Sequence, residues 1–136
     1  MMQDAKLGSE RLRQDEAIRH VPKGWGAELW IHNDELYCGK ILVLKGGKHC
    51  SLHYHKLKTE SFYVQSGRLR MELTDIEGAQ QIPPLIRESF ELGPGQAVLL
   101  RPYLVHRFTG LADDTRIFEF STQHFDEDSH RIVPGD

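Results

Sequence analysis

Residues 47–67 read GKHCSLHYHKLKTESFYVQSG. His53 and His55 stand two apart in a strand-like stretch, Glu60 follows, and Gly47 and Gly67 bracket the segment. In an extended strand, residues two apart share one face and lie about 7 Å apart along it. His53 and His55 therefore point one way and Tyr54 the other. Ser51 shares the histidine face, placed either to hydrogen-bond an imidazole or simply to pack; Cys50 lies on the opposite face and is not expected to be a ligand. A hairpin through Lys56–Thr59 would return Glu60 to the level of His55. His106, in LVHRF (104–108), occupies another strand-like segment and can add a third imidazole. Three imidazoles and one carboxylate suit a divalent transition metal such as Zn, Fe or Ni, and the carboxylate extends the choice to Mn. Four protein ligands on an ion that accepts six leave two positions for substrate or water.

The rest of the chain reads as more strands. After Pro22, short runs rich in Val, Ile, Leu, Phe and Tyr alternate with Gly, Pro, Asn and Asp. Strands are expected near 27–32, 36–45, 50–55, 60–65, 68–74, 97–101, 105–109 and 116–121. Residues 76–89, with Gly78, Pro83 and Pro84, read as a loop, and the residues beyond Asp126 as a terminal extension. Residues 9–20, SERLRQDEAIRH, form either a short helix capped by Ser9 or an arm. The division is thus an N-terminal arm or short helix (1–21) followed by one all-β domain (22–136), a sandwich or barrel.

The spacing Gly47-x5-His53-x-His55-x4-Glu60-x6-Gly67 resembles the first signature of the cupin superfamily. Gly95-x5-Arg101-x-Tyr103-x2-His106 is similar to the second, G-x5-P-x-G-x2-H, with Arg101 in place of its proline and Tyr103 in place of its glycine. The resemblance spans about residues 24–122. It implies a single cupin-type double-stranded β-helix, a jelly-roll barrel, with a metal inside one end held by His53, His55, Glu60 and His106. Lys23-Gly24-Trp25-Gly26 and the segment 39–71 resemble the cupin domain of bacterial mannose-6-phosphate isomerase and mannose-1-phosphate guanylyltransferase chains. The segment 119–132, EFSTQHFDEDSHRI, is similar to the ending of sugar-active cupins. His53 stands where the phosphomannose enzymes commonly carry Gln, which turns the expectation from mannose 6-phosphate itself toward sugar chemistry more widely.

A ketol isomerase needs a base near the metal. Glu119, in IFEFS (117–121), alternates with Phe118 and Phe120, and so faces either the barrel interior as that base or solvent. Lys40, in an apolar strand, either binds a sugar hydroxyl or phosphate or snorkels from a sheet edge. Arg101 and Arg131 are candidate phosphate partners or ordinary surface charges. Three functions fit these residues: a sugar or sugar-phosphate isomerase, a small Fe(II) dioxygenase, and a non-catalytic module holding metal and carbohydrate.

Bulk properties narrow the field. The 136 residues fit one domain, and 39% hydrophobic against 27% charged residues is ordinary for a globular chain. A net charge of −3 supplies no basic excess for nucleic acid. Two cysteines outside any CxxC pattern, and a polar N-terminal stretch without an apolar signal core, fit a reducing cytoplasm. No apolar run is long enough to span a bilayer. The expected partners are a small-molecule substrate and a second copy of the chain in a homodimer, covering the apolar strand Ile117–Phe120.

Overall fold

Alternation decides which side of each strand meets the core. Cys38–Leu44 buries residues 38, 40, 42 and 44; Glu60–Ser66 buries 60, 62 and 64; Thr115–Ser121 buries 115, 117 and 119. Each of these strands therefore carries one buried face and one half-solvated face, the pattern of an antiparallel sheet closed over a core, and Lys40, Glu60, Thr115 and Glu119 are the polar groups on the buried side. The computed structural model describes residues 12–14 and 18–136.

Among the described residues, the strands are β1 (Arg19–Lys23), β2 (Gly26–Asn33), β3 (Cys38–Leu44), β4 (Leu52–Tyr54), β5 (Glu60–Ser66), β6 (Leu69–Thr74), β7 (Glu88–Leu92), β8 (Ala97–Leu100), β9 (Val105–Gly110), β10 (Thr115–Ser121) and β11 (His130–Val133). They form a six-stranded sheet in the order β1-β2-β3-β10-β5-β8 and a five-stranded sheet in the order β11-β4-β9-β6-β7. All pairings are antiparallel. Leu42, Leu44, Phe62, Val64, Leu69, Met71, Phe108 and Ile117 fill the space between the sheets, with Trp25 set edge-on against Phe108 at 5.1 Å. A smaller cluster of Leu52, Ala79 and Val105, flanked by Ile76, Ile86 and Ile132, lies apart from this core. The expected all-β jelly-roll barrel is the observed architecture.

Several local expectations need correction. The segment 76–89 is not simply a loop. It opens with a helical turn, α1 (Ile76–Ala79), where the Asp75 carboxylate accepts from Gly78 N at 2.7 Å, and it ends in β7. The tail past Asp126 is structural: β11 pairs with β4. Strands β4 and β5 do not form a hairpin, because they lie in different sheets, and 56–59 crosses from one to the other. Of the segment 9–20, read as a short helix or an arm, residues 9–11 and 15–17 lie outside the described residues, 12–14 carry no regular secondary structure, and Arg19 and His20 are strand. Tyr103 takes φ +69°, the left-handed conformation that glycine adopts at low cost, so the turn before His106 survives the replacement. Its N–H donates to His55 O at 2.7 Å.

Candidate metal centre and substrate pocket

Two lateral rows of side chains build the pocket, one on each sheet. In the six-stranded sheet, Arg19, Trp30, Lys40, Glu119, Phe62 and Val98 stand opposite one another across successive strands. In the five-stranded sheet, Arg131, His53, His106 and Leu73 do the same. Residues in register share a face, so each row delivers its groups at one depth in the barrel. His55 enters just past β4, and Glu60 opens β5 on the face of Phe62. Most of these residues line one cavity of ≈ 570 Å³.

The ring nitrogens of His53, His55 and His106 offer ligand atoms within 4.8 Å of one another. Each ring is oriented by a backbone carbonyl at its Nδ1: Ser51 O at 2.8 Å for His53, Asp128 O at 3.0 Å for His55, and Leu104 O at 2.9 Å for His106. A carbonyl can only accept, so Nδ1 carries the hydrogen and Nε2 keeps its lone pair. Ser51 Oγ also lies 3.2 Å from His53 Nδ1. Glu60 places Oε1 3.2 Å from His106 Nε2 and Oε2 3.7 Å from His55 Nε2. Lone pairs thus face lone pairs in a buried space. Glu60 Oε2 and His106 Nε2 are buried without a well-aligned hydrogen-bond partner. Such an arrangement fits a cation, which would accept electron density from all of them. Burial, reinforced by the neighbouring imidazoles, pushes His53 well below the usual histidine range, and burial pushes His55 down to about 4, so both rings are neutral and ligand-competent at pH 7. For Glu60, burial opposes the charge, but the Lys58 ammonium outweighs it and holds the carboxyl well below its ordinary range.

Beside this group lies a second buried polar system. Lys58 Nζ donates to Glu119 Oε2 at 2.9 Å, approaches Glu60 Oε2 at 3.0 Å and lies 3.0 Å from His124 Nδ1. Glu119 faces inward, buried at 4% exposure, while Phe118 and Phe120 face out. Burial raises the Glu119 carboxyl above its usual value, against the pull of Lys58. Lys40 does not snorkel from an edge. Strand β3 is interior, and its ammonium is buried 3.5 Å from Glu28 Oε1 and 4.1 Å from the centre of the Trp30 ring. Trp30 Nε1 donates to Glu28 Oε1 at 2.8 Å, and the Arg19 guanidinium also lies over the Trp30 ring, at 4.4 Å. Arg131 lines the cavity, whereas Arg101 is exposed and does not. Cys50 is buried, its thiol pushed up by burial to about 12, and it is no nucleophile.

Sequence reasoning did not single out Lys58, His124, Glu28 or Trp30. Alternation in GAELWIHN (26–33) places Glu28 and Trp30 on one face, a usable signal. Lys58 and His124 lie outside strands, where no alternation exists to read.

The family model for D-lyxose isomerase matches residues 23–132. The D-lyxose/D-mannose isomerase of Thermosediminibacter oceani is 30% identical over 118 residues, covering 75% of this chain and 65% of that protein. The chain therefore spans less than two thirds of that relative's length. Among solved structures, KdgF from Halomonas sp. aligns with a TM-score of 0.61 at 17% identity, covering 74% of this chain and 81% of that one. CapF from Staphylococcus aureus aligns with 0.68 at 16%, covering 84% and 32%. Oxalate decarboxylase from Bacillus subtilis aligns with 0.69 at 17%, covering 86% and 30%. At these identities the likeness speaks for the fold, the cupin barrel.

Proposed function

We propose, since this chain belongs to the D-lyxose isomerase family, that its cavity binds the open-chain form of a free aldose such as D-lyxose or D-mannose and converts it to the 2-ketose. The observation that carries this reading is the meeting of two buried systems: His53, His55 and Glu60 line one cavity together with the Lys58–Glu119 pair, and His106 completes the imidazole cluster, its ligand atom within 4.8 Å of the other two. The relative's name adds the free sugar as the substrate class, in preference to a phosphorylated one.

The chain's residues supply the proton transfer. The Glu119 carboxylate takes the proton from C2 of the aldose; the C2–H electrons form the C1–C2 double bond of an enediol, and O1 takes up negative charge. The hydroxyl proton on O2 passes to O1, and Glu119 returns its proton to C1, leaving a ketone at C2. Burial makes Glu119 a stronger base than an exposed carboxylate, and Lys58 fixes the orientation of Oε2. Lys40, directly opposite Glu119 on the neighbouring strand, is placed to meet a sugar hydroxyl, and the Trp30 ring offers an apolar wall. His53, His55, Glu60 and His106 would hold a divalent Mn, Zn, Fe or Ni ion, which when bound would supply Lewis acidity to polarise the substrate oxygens. The cavity suits a small polar ligand by size. Phe118, Phe120 and Tyr63 on the outer face are the surface on which we place pairing of two copies. Ile117 is not part of it, because it is buried inside the barrel.

The test is turnover. Purified protein supplied with each metal in turn is incubated with D-lyxose, D-mannose and mannose 6-phosphate in D2O, and the ketose is followed by NMR. Ketose carrying deuterium at C1 is expected from a free sugar. Glu119→Gln should lower kcat by about 100-fold or more with KM little changed. Binding of sugar with no ketose under any metal would return the chain to a binding role.

A further inference from the structure

An ammonium group has three hydrogens and no acceptor. That of Lys58 meets three acceptors: Glu119 Oε2 at 2.9 Å, Glu60 Oε2 at 3.0 Å and His124 Nδ1 at 3.0 Å. Its side chain is 3% exposed, so these contacts take the place of water around the charge. Two of the three partners are buried carboxylates, and one of those, Glu60, belongs to the candidate metal centre. Glu60 Oε2 lacks a well-aligned hydrogen bond, so Lys58 holds it by proximity of charge and not by a directed bond.

We infer that Lys58 is an internal counter-ion that competes with the metal for Glu60. It compensates Glu60 and Glu119 when no metal is bound, and it lowers the affinity of the centre below what three imidazoles and a carboxylate would otherwise provide. The inference rests on the reading of His53, His55, Glu60 and His106 as metal-holding residues. Two consequences follow in opposite directions. Removing the lysine charge leaves two carboxylates in a buried space without a cation, which destabilises the metal-stripped fold. It also frees Glu60 for a divalent ion, which tightens metal binding. Thermodynamic linkage joins the two effects: whatever the variant gains in metal affinity reappears as a smaller stability loss in the metal-loaded protein.

A lysine that only held the 56–59 crossover in place would behave differently. His55 and Glu60 flank that crossover, so loosening it would scatter both groups and weaken metal uptake. The sign of the affinity change separates the two roles.

The test measures the affinity of Mn(II) and Zn(II), by competition with a chromophoric chelator at pH 8, for the wild-type chain, Lys58→Gln and Lys58→Met. Glutamine keeps a donor for Glu119 and removes only the charge; methionine removes both. Thermal unfolding of the chelator-stripped and metal-loaded forms accompanies it. Metal binding about tenfold tighter or more is expected in both variants, since a unit charge a few ångströms away acts strongly at an effective dielectric near 20. The drop in Tm should be larger for the stripped form than for the loaded form. Variants that fold only when metal is present also meet the expectation. Affinity unchanged or weakened in both variants, with the wild type binding metal, overturns the inference and leaves the metal reading intact. Variants that fail to fold even with metal also overturn it. A wild-type chain that takes up neither ion overturns the metal reading, and the inference with it.

Discussion

Each histidine of the candidate centre is defined by what its other nitrogen does. Carbonyl groups from Ser51, Asp128 and Leu104 fix the Nδ1–H tautomer in His53, His55 and His106 and aim three Nε2 lone pairs into one space. His124 is set the opposite way. Lys58 donates to its Nδ1, and Nε2 donates to Asp126 Oδ1 at 3.0 Å. A proton added at Nδ1 would meet an ammonium group, so burial first and Lys58 second push His124 down from 6.5 to about 4. The sign follows from linkage. As pH falls through 6.5 the unfolded chain takes a proton on this ring while the folded chain does not until about pH 4, so the folded state loses stability across that window and loses nothing above it. His55 titrates in the same sense and remains in the variant. His124→Asn should therefore lose less Tm than the wild type between pH 7 and pH 5, as measured by calorimetry. An equal loss in both chains would remove this account of His124. The roles open to Glu119 and the histidine pair were readable from alternation alone, because parity along a strand is a local property. Lys58 was not, because its importance comes from three acceptors brought in from β5, β10 and the segment after β10.

At the scale of elements, the crossover from β4 to β5 depends on a distant carboxylate. Asp128 is buried at 4% exposure, and its side chain accepts from Lys56 N at 2.9 Å, Leu57 N at 3.1 Å and Lys58 N at 3.1 Å, while its own carbonyl accepts from His55 Nδ1. One residue thus orients a ring of the candidate centre and ties down the loop that carries Lys58. Asp128→Ala would leave three loop N–H groups without their acceptor. The expected cost is about 3 kcal/mol in urea denaturation, together with weaker metal uptake. A variant with native stability and native metal affinity would contradict the role. The central strands β3, β5 and β10 were legible because each has one dry and one wet face. Strands β7 and β11 were not. ESFEL is exposed at its first four positions and HRIV has only four residues, so both owe their strand character to hydrogen bonds from β6 and β4 and not to their own burial pattern. The missed hairpin has the same origin: proximity in sequence says nothing about which sheet receives the next strand.

At the scale of the whole molecule, the pocket is a property of register. Arg131 and His53, opposite one another on one sheet, line the same cavity as the row of Trp30, Lys40, Glu119 and Phe62 on the other, and neither set is contiguous in the chain. Among the described residues, no helix is long and apolar enough to cross a membrane. The outer face holds Phe118 stacked with Tyr63 at 6.3 Å and Phe120 at 57% exposure. If two copies pair there, Phe120→Lys should shift sedimentation from dimer to monomer without changing metal affinity; a wild-type monomer at working concentrations would remove the pairing proposal. The central claim is the shared cation, and anomalous diffraction from crystals grown with Mn(II) or Zn(II) tests it most directly. The account predicts one peak per chain, within coordination distance of His53, His55, Glu60 and His106. A chain with no peak there, or with its metal held elsewhere, would contradict it.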